Sequence, residues 1–332
     1  LREQYTEAQV RTLLFVGLVL GGLFSLLGLL LSQRKGLALL GMSCITLAVL
    51  AGGSNVAFES PIRRPNFYLS LDWLLLDLVL IATLFISIEK FFRLRPEQVI
   101  LRDGWQVDLM HYVANHLFLG GLVYLLYLPA QFVQQWLDLA RLAENIASLN
   151  LWLQVLLIYA ITDFTQYWVH RAFHAFPWLW RFHKVHHSVE SMDWLAGSRL
   201  HVVDILITRS LALIPMVVLG FSNEAINTYL PILALQTVFI HCNLRFSFNG
   251  LTPWVATPRF HHWHHTADHD HLDRNFAVCL PIYDRLFGTY HCPEGQWPDA
   301  YGLANEKIEG GYWAHLIAPF KRPMKRPVRR SS

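Results

Sequence analysis

The stretch DFTQYWVHRAFHAFPWLWRFHKVHH, from Asp163 to His187, decides how the rest of this chain is interpreted. Five of its residues are histidines. The first two are separated by three residues, a spacing that puts both imidazoles on one face of a helix, one turn apart. The other three form an H-x2-H-H pattern, which a helix also gathers on one side. The five are His170, His174, His183, His186 and His187.

A second H-x2-H-H pattern lies nearer the C-terminus, at His261, His264 and His265. Eight histidines at helical spacing are difficult to explain as packing in a chain that is 54% hydrophobic. Imidazole is the common nitrogen ligand of iron, zinc, copper and nickel. The pattern therefore predicts a multi-histidine metal site for two ions, with His241 as a ninth ligand for which a structural role is the alternative.

Other metal sites fit the sequence less well. A structural zinc site is closed by four ligands that typically include cysteine, so it is smaller and richer in sulfur than this array. The H-E-x-x-H motif of zinc hydrolases does not occur in the sequence. Asp163 lies seven residues before His170, on the same helical face, where it either orients a ligand histidine or packs as a buried polar residue.

The composition favours a membrane protein, because charged residues make up only 15% of the chain, against about 25% in typical soluble domains. We predict an all-α fold, a polytopic membrane helical bundle with seven spans. Their ranges are 12–31, 36–58, 67–88, 111–136, 151–167, 202–219 and 225–240.

The basic residues orient this bundle. The tail KRPMKRPVRR, at 321–330, is strongly basic and is expected to contact anionic lipid on the cytoplasmic side. With the tail inside, most loop lysines and arginines also fall inside, as the positive-inside rule requires. All three histidine groups, His241 and the C-terminus are then cytoplasmic, so the histidines form a helical cap on the bundle. A site in that position meets lipid chains or sterols, and no nucleic-acid partner is expected.

These motifs resemble those of the fatty acid hydroxylase superfamily, the membrane di-iron group that includes sterol desaturases and sterol C-4 methyl oxidases. The segments that carry the resemblance are DFTQYWVHRAFH, WRFHKVHH, IHCNLRF, TPRFHHWHH, DRNFAV and YDRLFGTY, and they are most similar to the bacterial sterol desaturase-like branch. The resemblance covers about 105–290. The first 60 residues lie outside it.

The resemblance implies two iron ions, O2 as the oxidant, and electrons from NAD(P)H delivered by a separate protein of the cytochrome b5 or ferredoxin type. It implies no catalytic residue beyond the metal ligands, which are the eight histidines above and, by a weaker match, His241. His262 occupies a variable family position and is left out. The outer residues that it suggests are His201, His269, His271, Asp273 and Asn275.

On this basis the chain divides into four segments. Residues 1–60 form an N-terminal transmembrane hairpin, and 61–104 hold the third span and an amphipathic connector. Residues 105–292 are the fatty acid hydroxylase-like catalytic domain, and 293–332 are the basic tail.

The function predicted first is a membrane oxidoreductase that hydroxylates or desaturates a sterol or fatty-acyl lipid. Both reactions begin with the same hydrogen abstraction, so motifs separate them poorly. Cleavage of an ether lipid by hydroxylation beside the oxygen is a related alternative. A histidine-rich metal transporter is another, although its ligands would be expected near the bilayer midplane. A non-catalytic lipid-binding member of the family is the last.

Overall fold

The protein is described by a computed structural model covering residues 6–31, 35–55, 71–137, 139–304 and 306–321. These residues form twelve α-helices and no strand, so the all-α prediction is confirmed for the part of the chain that they cover. The chain folds into two compact units, Leu1–Phe91 and Phe92–Ser332. The second unit carries the histidines.

The first unit holds α1 (Glu7–Leu31), α2 (Gly36–Leu50) and α3 (Leu71–Phe92). Small residues let α1 and α2 approach closely, since a Cβ built on Gly28 would lie 3.0 Å from that of Ala38. Both helices expose large apolar side chains such as Leu31, Leu40 and Leu47. This exposure is costly in water and suits a hydrocarbon environment.

Among the described residues, Glu7–Leu29 and Gly36–Asn55 are long and apolar enough to cross a bilayer. They coincide with the first two predicted spans. The last two predicted spans lie on helices of 17 residues each. Such helices measure about 25 Å, less than a hydrocarbon core of about 30 Å. The seven spans therefore stay a prediction, and among the described residues only the first two segments have the length and apolar composition of a span. The third begins within 56–70, and all but the first residue of the basic tail lies at 322–332, both outside the described residues.

The second unit holds the remaining helices, which pack around a central one. Its elements are α4 (Trp105–Trp136), α5 (Ala140–Ala147), α6 (Leu151–Ala175), α7 (Pro177–His187), α8 (Val202–Val218), α9 (Asn223–Phe239), α10 (Pro258–His264), α11 (Ile282–Leu286) and α12 (Tyr312–Ile317). Helix α6 packs against α7, α8 and α9, while α8 also lies along α4. The apolar core joins Ile158 of α6, Met216 of α8 and Tyr229 of α9. Helix α6 is therefore the element on which the others are placed.

The predicted amphipathic connector is not a helix. Helix α3 ends at Phe92 and α4 begins at Trp105, and turns fill the interval. Gly104 adopts a left-handed conformation with φ +82°, which favours glycine. Arg102, which the amphipathic interpretation would place in solvent, is only 4% exposed. The interval is ordered by buried ion pairs instead.

Those ion pairs form a network that ties the connector to α4 and to the loop after α7. The Arg102 guanidinium donates to Asp108 at 2.6 Å and to Asp193 at 2.9 Å. Arg199 donates to the second oxygen of Asp108. Because a buried charge is costly unless it is paired, each of these side chains depends on its partners in the network.

Replacing Asp108 with Ala is expected to destabilise the second unit strongly, because two buried arginines lose a shared carboxylate. Breaking a buried ion pair costs about 3–5 kcal/mol, which for a unit of this size lowers the melting temperature by about 6–20 °C. Thermal unfolding in detergent measures the shift. The matched control is Glu190→Ala, which removes an exposed pair with Lys307 and should change the melting temperature by about 4 °C or less. Equal shifts would contradict a stabilising role for the network.

Candidate metal centre

Four helix ends deliver the nine histidines. His170 and His174 lie in the last two turns of α6, and α7 follows after a single residue, with Pro177 at its first position. Proline suits that position, because its missing N–H has no partner in a helix's first turn. Pro258 starts α10 in the same way, and His241 follows α9. The chain reverses at these points, so ligands distant in sequence meet.

The nine histidines form two neighbouring groups, within each of which the possible ligand nitrogens lie within 4.8 Å of one another. The first group is His170, His174, His183, His187 and His264. The second group is His186, His241, His261 and His265. The groups adjoin, since the ring centroids of His187 and His265 lie 4.5 Å apart. The sequence thus anticipated which histidines come together.

Backbone carbonyls fix the orientation of several rings. Nδ1 of His170 donates to the carbonyl oxygen of Phe276 at 2.7 Å, and Nδ1 of His264 donates to that of Arg274 at 2.7 Å. A carbonyl only accepts, so Nδ1 carries the proton in both rings and Nε2 presents a lone pair. This is the tautomer that a metal ligand needs.

Two carboxylates fix the orientation of two other rings in the first group. Nδ1 of His183 donates to Asp204 at 2.7 Å, and Nδ1 of His174 donates to Asp273 at 3.0 Å. The negative charge raises the basicity of the bonded imidazole and strengthens it as a ligand. Asp273 was anticipated from the sequence. The sequence analysis did not identify Asp204 as a site residue, although it follows His201 by three residues and lies at the start of an apolar helix.

The lone pairs face one another. Nε2 of His170 lies 3.0 Å from Nε2 of His183, although both rings are protonated at Nδ1. Two lone pairs at that distance repel unless a cation lies between them. Adjacent nitrogens on one metal ion at about 2.1 Å, at right angles, are about 3.0 Å apart, so the spacing suits a shared ion. In the second group the Nε2 atoms of His241 and His261 are also 3.0 Å apart.

Four further ring nitrogens are buried without a partner. Among the described residues, nothing accepts from or donates to Nε2 of His187, Nε2 of His264, Nδ1 of His261 or Nδ1 of His265. Buried polar atoms are rarely left unsatisfied in native proteins. At His187 and His264 the orphaned atom is a possible ligand atom of the first group, so the donor set fits a bound metal ion.

Burial also keeps the rings neutral. Loss of hydration, followed by the neighbouring imidazoles, lowers the pKa of His187 and His264 well below the ordinary value. The pKa of His186 is lowered for the same reasons. A neutral imidazole is the form that binds metal, so these rings need lose no proton to become ligands near neutral pH.

Close backbone approach shapes the second group. Nδ1 of His241 donates to the Thr237 carbonyl at 2.7 Å, which turns Nε2 towards His261. A Cβ added at Gly197 would lie 2.8 Å from His241 Nδ1, nearer than real Cβ contacts come. Only glycine leaves room there for the ring.

Two other residues singled out in the sequence, Asp163 and Asn275, bond backbone groups and not the nine histidine rings. Asp163 bonds none of the nine histidines, because its carboxylate accepts the backbone N–H groups of Val278, Cys279 and Leu280. It thereby holds the loop that presents the Phe276 carbonyl to His170. Asn275, at φ +57°, bridges the Phe260 and His291 backbones.

Three anticipated histidines lie outside both groups. His201 caps α8 by accepting the Val203 N–H and contacts the Leu316 carbonyl. His271 donates to Asp268 at 2.9 Å and is partly exposed. The third, His269, lies in the same short turn. His262, excluded at the sequence level, contacts the Tyr301 hydroxyl and the His241 carbonyl and belongs to neither group.

Comparison with known proteins identifies the class. Residues 155–289 match the fatty acid hydroxylase family model. The chain is 32% identical to an ornithine lipid hydroxylase, OlsE, of Rhizobium tropici, over 53% of this chain and 53% of that protein. It is 29% identical to human alkylglycerol monooxygenase, over 43% of this chain and 31% of that protein. It is 27% identical to methylsterol monooxygenase 2-2 of Arabidopsis thaliana, over 41% of this chain and 52% of that protein.

The similarity to fatty acid hydroxylases is thus shown for the segment 155–289, which carries the histidines, and these relatives are by name lipid hydroxylases or monooxygenases. The matches span between about a third and about a half of the relatives' own lengths. No solved structure matches the chain. The family model contains all nine histidines of the two groups and leaves the first unit outside.

Replacing His264 with Ala should empty the first group selectively. Bound metal is expected to fall from two ions per chain, one in each group, towards one. Elemental analysis of the folded, detergent-purified protein measures this. The matched control is His262→Gln, on the same helix but outside both groups, which should keep both ions. If His262→Gln loses as much metal as His264→Ala, the assignment of ligands is wrong.

Replacing Asp204 with Ala should weaken metal binding through His183 without removing a ligand. Loss of such a supporting carboxylate costs about 10–100-fold in metal affinity, measurable by competition with a chelator. Asp268→Ala is the control, because Asp268 bonds a histidine outside both groups. Unchanged affinity in Asp204→Ala would show that its hydrogen bond does not support the metal.

Proposed function

We propose that this protein is a membrane-bound di-iron oxidoreductase that uses O2 to hydroxylate or desaturate a lipid. The observation that carries the proposal is the pair of adjoining histidine groups. The Nε2 lone pairs of His170 and His183 point inward, and their Nδ1 atoms donate hydrogen bonds on the outer side. The match to fatty acid hydroxylases and the similarity to three lipid oxygenases favour it over metal transport.

In this proposal one iron is held by each group, and no further catalytic residue is assigned. Iron bound there supplies the O2-dependent oxidation of an unactivated C–H bond. The chain's own residues hold the rings in the required tautomer and exclude water by burial. The carboxylates of Asp204 and Asp273 offset part of the metal charge in a setting where an uncompensated charge is costly.

The protein is proposed to act in a membrane. Helices α1 and α2, which are long and apolar enough to cross a bilayer, support this. We further propose the seven-span arrangement, with the histidine groups and the C-terminus cytoplasmic, from the distribution of basic residues. The four-segment organisation, with 105–292 as the catalytic domain, belongs to the same proposal.

The names of the relatives define the substrate class only broadly. The relatives act, by their names, on ornithine lipids, alkylglycerols and methylsterols. We therefore propose a sterol or acyl lipid that is hydroxylated or desaturated. Oxidation beside an ether oxygen is the second candidate, favoured by the similarity to two alkylglycerol monooxygenases.

Electrons are proposed to come from NAD(P)H through a separate cytochrome b5-like or ferredoxin-type protein. Reduction of O2 in such reactions needs two external electrons when a C–H bond becomes C–OH and the second oxygen leaves as water.

The deciding experiment combines metal content with turnover. Protein purified anaerobically should contain about two irons per chain, matching the two groups. With O2, a reductase system and a panel of lipids, it should release an oxidised lipid identified by mass spectrometry. His183→Ala should abolish turnover while the protein stays folded, and the control His271→Ala should leave it intact.

Two outcomes would contradict the proposal. Well-folded protein that binds no metal would remove the basis for an oxygenase. Metal flux across vesicles that disappears in His183→Ala, without any oxidised product from the lipids tested, would favour transport instead.

A further inference from the structure

Helix α7 supplies rings to both histidine groups, although it is only 11 residues long. It carries His183 and His187 of the first group and His186 of the second. Isolated helices of this length are marginally stable in water, so contacts with other elements must hold α7 in place. Movement of this one helix would displace rings of both groups at once. Whatever restrains α7 therefore restrains both metal positions.

The segment 306–321 provides part of that restraint. It lies outside the match to the family model, which ends at residue 289. The segment contains α12 and a short 3-10 helix, Ala318–Phe320. The 3-10 helix packs on α7, and α12 packs on α4. The segment thus joins the ligand-bearing α7 to a helix that carries none of the nine histidines.

Two contacts hold α7 on both sides of its ligand face. Nζ of Lys184 donates to Oε1 of Glu306 at 2.7 Å. The rings of Phe182 and Phe320 pack with their centroids 5.7 Å apart. Successive residues of a helix are rotated by about 100°, so Phe182 and Lys184 lie on opposite sides of His183. The two contacts together oppose rotation of α7 about its own axis.

The ion pair is well shielded from water. The side chains of Lys184 and Glu306 are 12% and 13% exposed. A pair in such a position is screened less by solvent and salt than a surface pair. Lys307, the next residue, forms an exposed pair with Glu190 instead. The neighbouring residues Glu306 and Lys307 therefore offer a shielded and an exposed ion pair within one segment.

The far end of the segment is anchored away from the rings. Nε2 of His111 on α4 and Nδ1 of His315 on α12 lie 3.2 Å apart, and both side chains are buried. His201, which caps α8, donates from Nε2 to the Leu316 carbonyl at 3.2 Å. These anchors give the segment a fixed base from which it holds α7.

A bound ion could not leave either group without movement of the protein. Apart from His170, each of the nine histidines is 5% exposed or less. Release of a buried ion requires a local opening, and the contacts that must break set the population of the open state. Because α7 contributes to both groups, its displacement would open both.

We propose that the segment 306–321 is a clamp that must release α7 before either metal ion leaves. This rests on the two histidine groups holding metal, as in the proposed function. Glu306 and Lys184 are then positioning residues, because they act on the ligands only through α7. The clamp differs in this from Asp204, which supports a single ring of the first group.

Release of iron to a chelator measures the clamp. Anaerobic protein loaded with Fe(II) is mixed with ferrozine, and absorbance follows the loss of each ion. Glu306→Gln keeps the size of the side chain and removes its charge. Both ions should leave about 10–100-fold faster, the effect of losing a charge-assisted hydrogen bond on the open population. Lys307→Gln is the matched control and should leave the release rate unchanged.

Two further variants separate the clamp from a merely structural contact. Lys184→Glu combined with Glu306→Lys reverses the pair and should restore slow release. Asp204→Ala should speed the loss of only the first group's ion, whereas Glu306→Gln speeds both. A lower melting temperature of metal-free Glu306→Gln, with the wild-type release rate for both ions, would overturn the proposal.

Hydrogen exchange in the wild-type protein tests the clamp without a variant. Ions that leave through the clamp cannot leave faster than it opens. Under conditions in which each opening leads to exchange, the backbone amides of 312–320 should exchange at least as fast as metal is lost. Amides there that stay protected after both ions have gone would overturn the proposal, even if Glu306→Gln does not fold.

The clamp and the proposed function can fail separately. Slow release that depends on Glu306, in a protein that oxidises no lipid, would uphold the clamp and count against the oxygenase. Release that is unaffected by Glu306→Gln, in a protein that oxidises lipid, would uphold the oxygenase and overturn the clamp.

Discussion

The structure of the histidine site depends on the hydrogen bonds made behind the rings. Burying nine imidazoles is costly for every polar nitrogen that lacks a partner. Carbonyls of Phe276 and Arg274 and carboxylates of Asp204 and Asp273 take the Nδ1 protons. Each of these bonds settles the tautomer and turns the other nitrogen inward. Ligand character is thus produced by backbone and carboxyl groups from distant parts of the chain.

The loop after α10 is the main source of those partners, and it is itself held by acids. Asp163 takes three consecutive N–H groups of this loop, and Asp284 takes those of Phe276 and Ala277. Five backbone donors thereby converge on two buried carboxylates. A loop with little regular structure acquires the rigidity that metal ligands require. Asp163 is accordingly important to the site without contacting it.

Helices and ligand candidates could be predicted from sequence because both follow from local spacing. H-x3-H and H-x2-H-H are properties of one helical turn, and nine of the anticipated histidines meet in the structure. The partition into two groups could not be read that way, since adjacent His186 and His187 join different groups. Asp204 was missed because its contact with His183 depends on how α7 meets α8. The amphipathic helix predicted for the connector was wrong because Arg102 is buried by its ion pairs with Asp108 and with the distant Asp193.

The sharing of helices between the groups links the two metal positions mechanically. Helix α7 supplies His183 and His187 to one group and His186 to the other, and α10 with its cap divides His264 from His261 and His265 in the same way. An ion bound in either group would therefore immobilise helices that the other group also requires. Part of the ordering entropy for the second ion has then already been spent. Metal held in either group is therefore expected to raise the affinity of the other group for its own ion, without being required for that ion to bind.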